Sequence, residues 1–309
     1  MKRFLNLFIL VFVLLLTTSC NIKLAENKYQ MIMPTGTPSI ALSYFVKNNK
    51  NVEAEIASGS DPLVAAFKSG NYDIIVAPVN LGAMLYNQLD NFAYSLYQPI
   101  VGCNFYVMST NPISSFAELD GKELIAFNEA ATPGVMIKAL TKYYNISPNV
   151  TYVGSVNEAN SYLVSGKAEY ILSAEPSRTI IATKGNFYSL DISQEWIKTI
   201  GNYNVPQAGI FVKNDNLKKS SFRGVLTQMS ESVKAEPALM AEAAKEIDPN
   251  FKTAPSLEAL TKAIPNCHFI TTPLNKEEVN VYFSVISDLG LAKSIGGKLP
   301  DEKFYYSEN

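Results

Sequence analysis

A punctuation pattern that occurs twice in this chain restricts its fold more than any other feature. In the second copy, Ser165-Gly166 closes a helical stretch, Tyr170 to Leu172 reads as a short apolar strand, and Glu175-Pro176 opens the next helix. Proline is tolerated best in the first helical turn, and glycine most often ends a helix. In the first copy Ser69-Gly70 closes a helix, Tyr72 to Ala77 reads as a strand, and Pro78-Val79-Asn80 begins the following segment. Each copy has a Thr-Pro start upstream, Thr37-Pro38 in one and Thr132-Pro133 in the other. Start and stop are 32 residues apart in the first copy and 33 in the second. Any chain of alternating strands and helices carries breakers; the matched spacing is what points to two similar α/β lobes. Each lobe then presents strand ends to helix starts, the place where open α/β sheets bind ligands.

The strands between the breakers fit this plan. Ile74-Ile75-Val76 suits a strand covered on both faces, and the helix over Leu63 to Ser69 is long enough to cross between parallel neighbours. Tyr29 to Met33 reads as the first strand, and Pro34-Thr35-Gly36-Thr37-Pro38-Ser39 as the turn into a helix carrying Ile40, Leu42 and Phe45. Phe92 to Ser109 holds two extended runs broken at Pro99 and Gly102. A first crossing between lobes is expected over Asn111 to Lys122, and a second before the strand Ile210 to Val212. The chain past Leu217 reads as helical and is expected to pack on the first lobe.

The front of the chain reads as a targeting segment. Lys2 and Arg3 are followed by an unbroken apolar run from Leu7 to Leu16, about half the length that spans a membrane, and then by Thr17-Thr18-Ser19-Cys20. This resembles a bacterial lipoprotein signal, in which the cysteine is acylated and becomes the first mature residue. Thr17 stands where such signals usually have leucine, so an ordinary cleaved signal is the alternative.

Charge and residue counts narrow the function. A net charge of −2 argues against nucleic acid as a partner. Arg3, Arg178 and Arg223 are the only arginines, which excludes an arginine cluster for phosphate. His268 is the sole histidine, and no second His or Cys lies near it at metal-site spacing, so neither a metal nor another cofactor is expected. Cys103 and Cys267 could pair in an oxidising compartment but read as buried thiols. There is no Gly-x-Ser-x-Gly elbow and no phosphate loop, so an enzyme is not expected.

The order of segments also carries a family resemblance. An extended strand, Asn111-Pro112-Ile113, a short helix ending Leu119-Asp120-Gly121-Lys122, the strand Glu123 to Phe127 and then Thr132-Pro133-Gly134 resemble the extracytoplasmic solute-binding proteins of ABC importers. Ala174-Glu175-Pro176 is similar to the branch serving nitrate, sulfonate, taurine and thiamine-pyrimidine precursors. The resemblance covers most of Tyr29 to Lys213 and implies a two-lobe type II periplasmic-binding-protein-like α/β fold. Each lobe would be a mostly parallel sheet flanked by helices, with the helical C-terminal tail on the first lobe. Residues 1–19 are then the signal, 20–28 a tether, 29–110 and 206–309 the first lobe, and 111–205 the second. Also implied are a small-molecule solute, an ABC permease partner, membrane attachment through Cys20, an extracytoplasmic location and a monomer. A protein-binding lipoprotein or sensor domain is the alternative, and a pyrimidine-precursor synthase of similar fold a more distant one, since that enzyme would use several histidines.

The expected ligand-binding residues are Thr35, Gly36, Thr37, Asn80, Thr132, Gly134, Ser173 and Glu175. The first seven offer backbone or side-chain donors near strand-to-helix junctions. Glu175 has two readings: a carboxylate capping its helix, or an acceptor for a ligand amine or aminopyrimidine with Arg178 as competitor. A sulfonate or nitrate beside that carboxylate would be repelled unless Arg178 compensated. Tyr86, Tyr106, Tyr203 and Asn204 could also line the cleft.

Overall fold

The structure is a computed structural model that describes residues 28–129 and 131–307, so the signal segment and Cys20 lie outside the described residues. Two five-stranded mixed sheets form two lobes. The first lobe begins β1 (Tyr29–Pro34), α1 (Thr37–Asn48), β2 (Val52–Ala57), α2 (Asp61–Ser69), β3 (Ile74–Pro78) and α3 (Val79–Gln88). Its sheet is completed by β4 (Tyr94–Val101) and by β10 (Ala208–Lys213), in the order β2-β1-β3-β10-β4. The second lobe contains β5 (Phe105–Ser109), β6 (Glu123–Phe127), α4 (Thr132–Tyr144), β7 (Asn149–Val153), α5 (Val156–Val164), β8 (Tyr170–Ala174), α6 (Ser177–Ile181), β9 (Tyr188–Asp191) and α7 (Ile192–Thr199). Its order is β7-β6-β8-β5-β9.

The breakers do what their chemistry allows. Pro38 and Pro133 stand in the first turns of α1 and α4. Gly70 ends α2 in the left-handed conformation at φ 65°, where its N–H still reaches the Ala66 carbonyl and a Cβ would be strained. Pro99 does not break β4. That strand lies at the sheet edge, where a missing ladder N–H is tolerated, and its pairing with β10 slips at two points near this proline.

The first crossing lies earlier than the sequence places it. All five residues of β5 are buried, and they pair antiparallel with β8 and β9, so the chain changes sheet at Gly102-Cys103-Asn104 and not over Asn111 to Lys122. Apolar composition tells that a strand is covered but not which of two sheets covers it. The return passes through residues 200–207 into β10, which is antiparallel to both β3 and β4. Each sheet thus holds a fourth strand supplied across a crossing, and the two crossings run side by side: the Gln207 amide donates to the Val101 carbonyl at 2.9 Å.

The tail comprises α8 (Ser220–Ser232), α9 (Pro237–Ile247), α10 (Leu257–Ala263) and α11 (Lys276–Asp288). Helices α8 and α9 pack on α1 of the first lobe. The tail also reaches the second lobe, where α10 lies against α6 and Tyr282 of α11 sits edge-on to Trp196 of α7. Among the described residues no helix is long and apolar enough to cross a membrane.

Candidate functional site

The turn between β1 and α1 is fixed by the tail. Asp248, fully buried just after α9, accepts the Thr35 hydroxyl at 2.8 Å and the Ser39 hydroxyl at 2.5 Å, while Asn250 donates to Thr35 Oγ1 at 2.8 Å. Gly36 takes φ +100°, and its carbonyl accepts the Ile40 amide that starts α1. One residue on, Thr37 crosses the gap between lobes: its hydroxyl donates to the Glu175 carbonyl at 3.0 Å. Asn104, on the first crossing, joins the same knot. Its side-chain amide donates to Thr37 Oγ1 at 2.8 Å and to the Glu175 carbonyl at 3.4 Å, and its backbone carbonyl accepts the Glu175 amide at 3.1 Å. The junction after β1 in one lobe and the junction after β8 in the other are therefore bonded directly through a crossing residue.

Beside this knot lies an interlobe cleft of ≈ 920 Å³ whose lining includes Thr35, Gly36, Asn160, Glu175, Pro176 and Asn250. Glu175 is shut from solvent. Its carboxylate accepts the Thr179 hydroxyl at 2.8 Å and the Thr179 amide at 3.2 Å, and Arg178 stands 3.4 Å away. The carboxylate thus caps α6, which is only five residues long and is followed by a 3-10 turn over Ala182–Lys184. Burial pushes the Glu175 carboxyl above its usual range, with the Thr179 bonds and Arg178 opposing it. Arg178 lies 4.4 Å over the ring of Tyr106, whose hydroxyl meets His268 Nε2 at 3.1 Å.

The raised Glu175 value fixes a sign. A carboxyl whose folded pKa exceeds its unfolded value adds stability at low pH, and that contribution is lost as pH rises through the folded value. Glu175→Gln is therefore expected to melt at or above the wild-type temperature at pH 7, with the gap closing toward pH 4. Thermal melts across that range check it; a lower melting temperature at pH 7 would mean that the Arg178 pair outweighs the cost of burial.

The remaining residues singled out in the sequence are spread around the crossings. Asn80 stands in the first turn of α3, buried, with its Oδ1 lacking a hydrogen-bond partner. Thr132 accepts the hydroxyl of Tyr282 from the tail at 3.1 Å. Gly134 is held by packing: a Cβ there would lie 1.9 Å from the Glu129 carbonyl oxygen. Ser173 donates to Asn160 Oδ1 at 2.7 Å, which puts it one side chain behind the cleft wall. Tyr86 faces Asp301, while Tyr203 and Asn204 meet Glu277 and Glu278 of α11 and line a smaller cavity of ≈ 320 Å³ beside Trp196. Cys103 and Cys267 are separate buried thiols, both pushed up in pKa by burial. Among the described residues no three His, Cys, Asp or Glu side chains gather as a metal site would require.

Two contributors escaped the sequence reading. Asn104 was the one amide in an apolar stretch between Val101 and Met108, which is the signal that could have found it. Asp248 sits between helices of the tail, where nothing local marks it as a partner of a turn more than two hundred residues away.

No family model matches the sequence, and no curated protein matches it. Solved structures do. An ABC transporter protein from Parabacteroides distasonis is 18% identical, with TM-score 0.73 over 92% of this chain and 100% of that one. The periplasmic aliphatic sulphonate binding protein SsuA from Escherichia coli is 11% identical, with TM-score 0.66 over 92% of this chain and 95% of that one. A Candida albicans protein described as having the generic periplasmic binding protein fold aligns at 11% identity and TM-score 0.52, over 91% of this chain and 98% of that one. This chain has the periplasmic-binding-protein fold. In that fold the two lobes correspond strand for strand: β1, β2 and β3 match β6, β7 and β8, β10 matches β5, and β4 matches β9. Thr37 and Thr132 then occupy equivalent junctions, as do Asn80 and Glu175, so the paired breakers mark real counterparts in a periplasmic-binding-protein fold.

Proposed function

We propose that this chain is the solute-binding component of an ABC importer, a lipid-anchored extracytoplasmic protein that captures a small solute between its lobes and delivers it to a membrane permease. The observation that carries the reading is the Thr37, Asn104 and Glu175 knot beside the ≈ 920 Å³ cleft, because it joins the two lobes where a captured solute would touch both. A solute that meets both lobes only when they are shut moves the open-closed equilibrium by its difference in affinity for the two states. Driving the population from mostly open to mostly closed takes about 5.5 kcal/mol. A few hydrogen bonds to charged or buried groups, each contributing roughly 0.5 to 3 kcal/mol, are sufficient. With one histidine in the chain, acid-base chemistry has few participants, and binding without turnover is the reading adopted.

Isothermal titration with small solutes, combined with product analysis, tests the function. Heat with unchanged solute is the expected result; a product would make the chain an enzyme, and silence toward small molecules with capture of a protein would make it a docking lipoprotein. The anchor has its own test. Cys20→Ala is expected to move the protein from the membrane fraction to the soluble one, and unchanged membrane retention would contradict acylation at that residue.

A further inference from the structure

One wall of the ≈ 920 Å³ cleft is a single face of α5. Val156, Asn157, Asn160, Ser161, Val164 and Ser165 line it as pairs four residues apart, which puts all six on the same side of the helix along its whole length. At a rise of 1.5 Å per residue that face is about 13 Å long. The Ser177 hydroxyl lies 3.5 Å from Asn157 Oδ1, so the Glu175-Pro176 junction and the knot stand at the Val156 end. Val164, 43% exposed, marks the other end. The cleft is therefore a groove and not a round pocket, with Ile180 and Ile181 of α6 beside α5 and Phe251 and Pro255 of the tail also in its lining.

The two sides of the groove offer opposite polar groups. Asn160 is 4% exposed, and its Oδ1 accepts the Ser173 hydroxyl at 2.7 Å. Its amide nitrogen is thereby turned away from Ser173, a donor with no partner among the described residues. On the side of the first lobe Asn250 spends its amide nitrogen on Thr35 Oγ1 at 2.8 Å, which leaves Asn250 Oδ1 as an acceptor with no partner. A solute that touches both lobes here has to carry an acceptor for Asn160 and a donor for Asn250, and apolar surface for Val156, Ile180 and Phe251. Each residue of a peptide supplies one C=O and one N–H, with a side chain between them. An extended chain advances about 3.3 Å per residue, so about four residues fill the groove.

We infer that the solute is a short linear peptide with apolar side chains, extended along α5 and long enough to reach Val164. The inference rests on the binding-protein reading above. Calorimetric titration of the full chain with N-acetyl-dialanine amide, N-acetyl-tetraalanine amide and N-acetyl-hexaalanine amide tests it, since these probes differ in length and carry no charge. Affinity is expected to rise at least tenfold from the dialanine to the tetraalanine probe and to change less than threefold from there to the hexaalanine probe. Val164→Asp, at an exposed position, is expected to weaken the tetraalanine probe at least fivefold more than the dialanine probe. Asn160→Asp keeps the acceptor for Ser173 and loses the free donor, so it is expected to weaken all three at least tenfold; melting temperatures show that both variants fold. Equal affinity at every length, equal effects of Val164→Asp on the short and long probes, or no heat from any of them with folded wild type overturns the peptide assignment and leaves the solute-binding reading standing. Cleavage of a bound probe would overturn the solute-binding reading instead, and would leave the peptide assignment in place.

Discussion

Replacing Glu195 by alanine is expected to destabilise the second lobe by about 2 to 6 kcal/mol, roughly 1 to 3 for each of two buried donors left without an acceptor. Glu195 lies in α7 and is fully buried. One carboxylate oxygen accepts the Phe116 amide and the Tyr144 hydroxyl, each at 2.9 Å, and the other meets Lys198 at 2.6 Å. It therefore ties three parts of the lobe together: α7, the turn before β6, and the end of α4. Lys198 is mostly exposed, so its ion pair contributes little, and the loss comes from leaving the Phe116 N–H and the Tyr144 hydroxyl without an acceptor. Burial pushes the Glu195 carboxyl up, but Lys198, Phe116 and Tyr144 together outweigh it and hold the group below its usual range. The sign is opposite to that of Glu175. A lowered carboxyl contributes stability above its unfolded value, about 4.3, and that stability is lost as pH falls through the folded value. Denaturant unfolding followed by Trp196, the only tryptophan and the next residue in the chain, is expected to show the full difference at pH 7 and a smaller one in acid. A variant within 1 kcal/mol of wild type at pH 7 would remove Glu195 from this role.

Gly134→Ala is expected to cost about 3 kcal/mol, the upper part of the usual range for overpacking a filled interior. The added carbon would stand 1.9 Å from the Glu129 carbonyl oxygen and 2.7 Å from its Cα, and backbone cannot swing aside as a side-chain tip can. The turn it would displace holds Asn128 at φ 51°, and the Ala131 amide bonds the Asn128 carbonyl at 3.0 Å. Thr132 and its bond from Tyr282 lie just beyond, so the contact between α4 and the tail shifts too. Gly224→Ala in α8 is the control: a Cβ there meets nothing within 4 Å, and alanine is the better helix former by about 1 kcal/mol. Melting temperatures that fall for Gly134→Ala and hold or rise for Gly224→Ala are the expected pair; equal behaviour would mean that the Glu129 contact yields easily.

Gly134 also shows where sequence reading stops. Its place in Thr132-Pro133-Gly134 marked a helix start, and α4 does start there, but a donor for a ligand and a residue that admits a neighbouring backbone leave the same letter in the sequence. The alternation of strands and helices was legible because breakers and apolar runs are local signals. The transfer of β5 to the second sheet was not, since an apolar strand suits either lobe, whereas β10 was legible as the return strand and does lie in the first sheet. The Asp248 contacts to Thr35 and Ser39, and the reach of Tyr282 to Thr132, depend on side chains brought together by the tail's path over both lobes. Glu175 stood out because a carboxylate at a helix start can either cap the helix or accept from a ligand; in the structure its carboxylate caps α6, and the residue also lies in the cleft lining.

A distance across the cleft mouth tests most directly whether the lobes shut on a solute. Ser60 and Lys184 are exposed on opposite lobes, beside cleft-lining Ser58 and within the lining itself. Cys103 and Cys267 are buried thiols with raised pKa values, so spin labels on Ser60→Cys and Lys184→Cys would react selectively. Adding a solute that gives heat in titration should convert a longer interlabel distance to a shorter one in proportion to occupancy. A single distance that does not change while the solute binds would contradict the account.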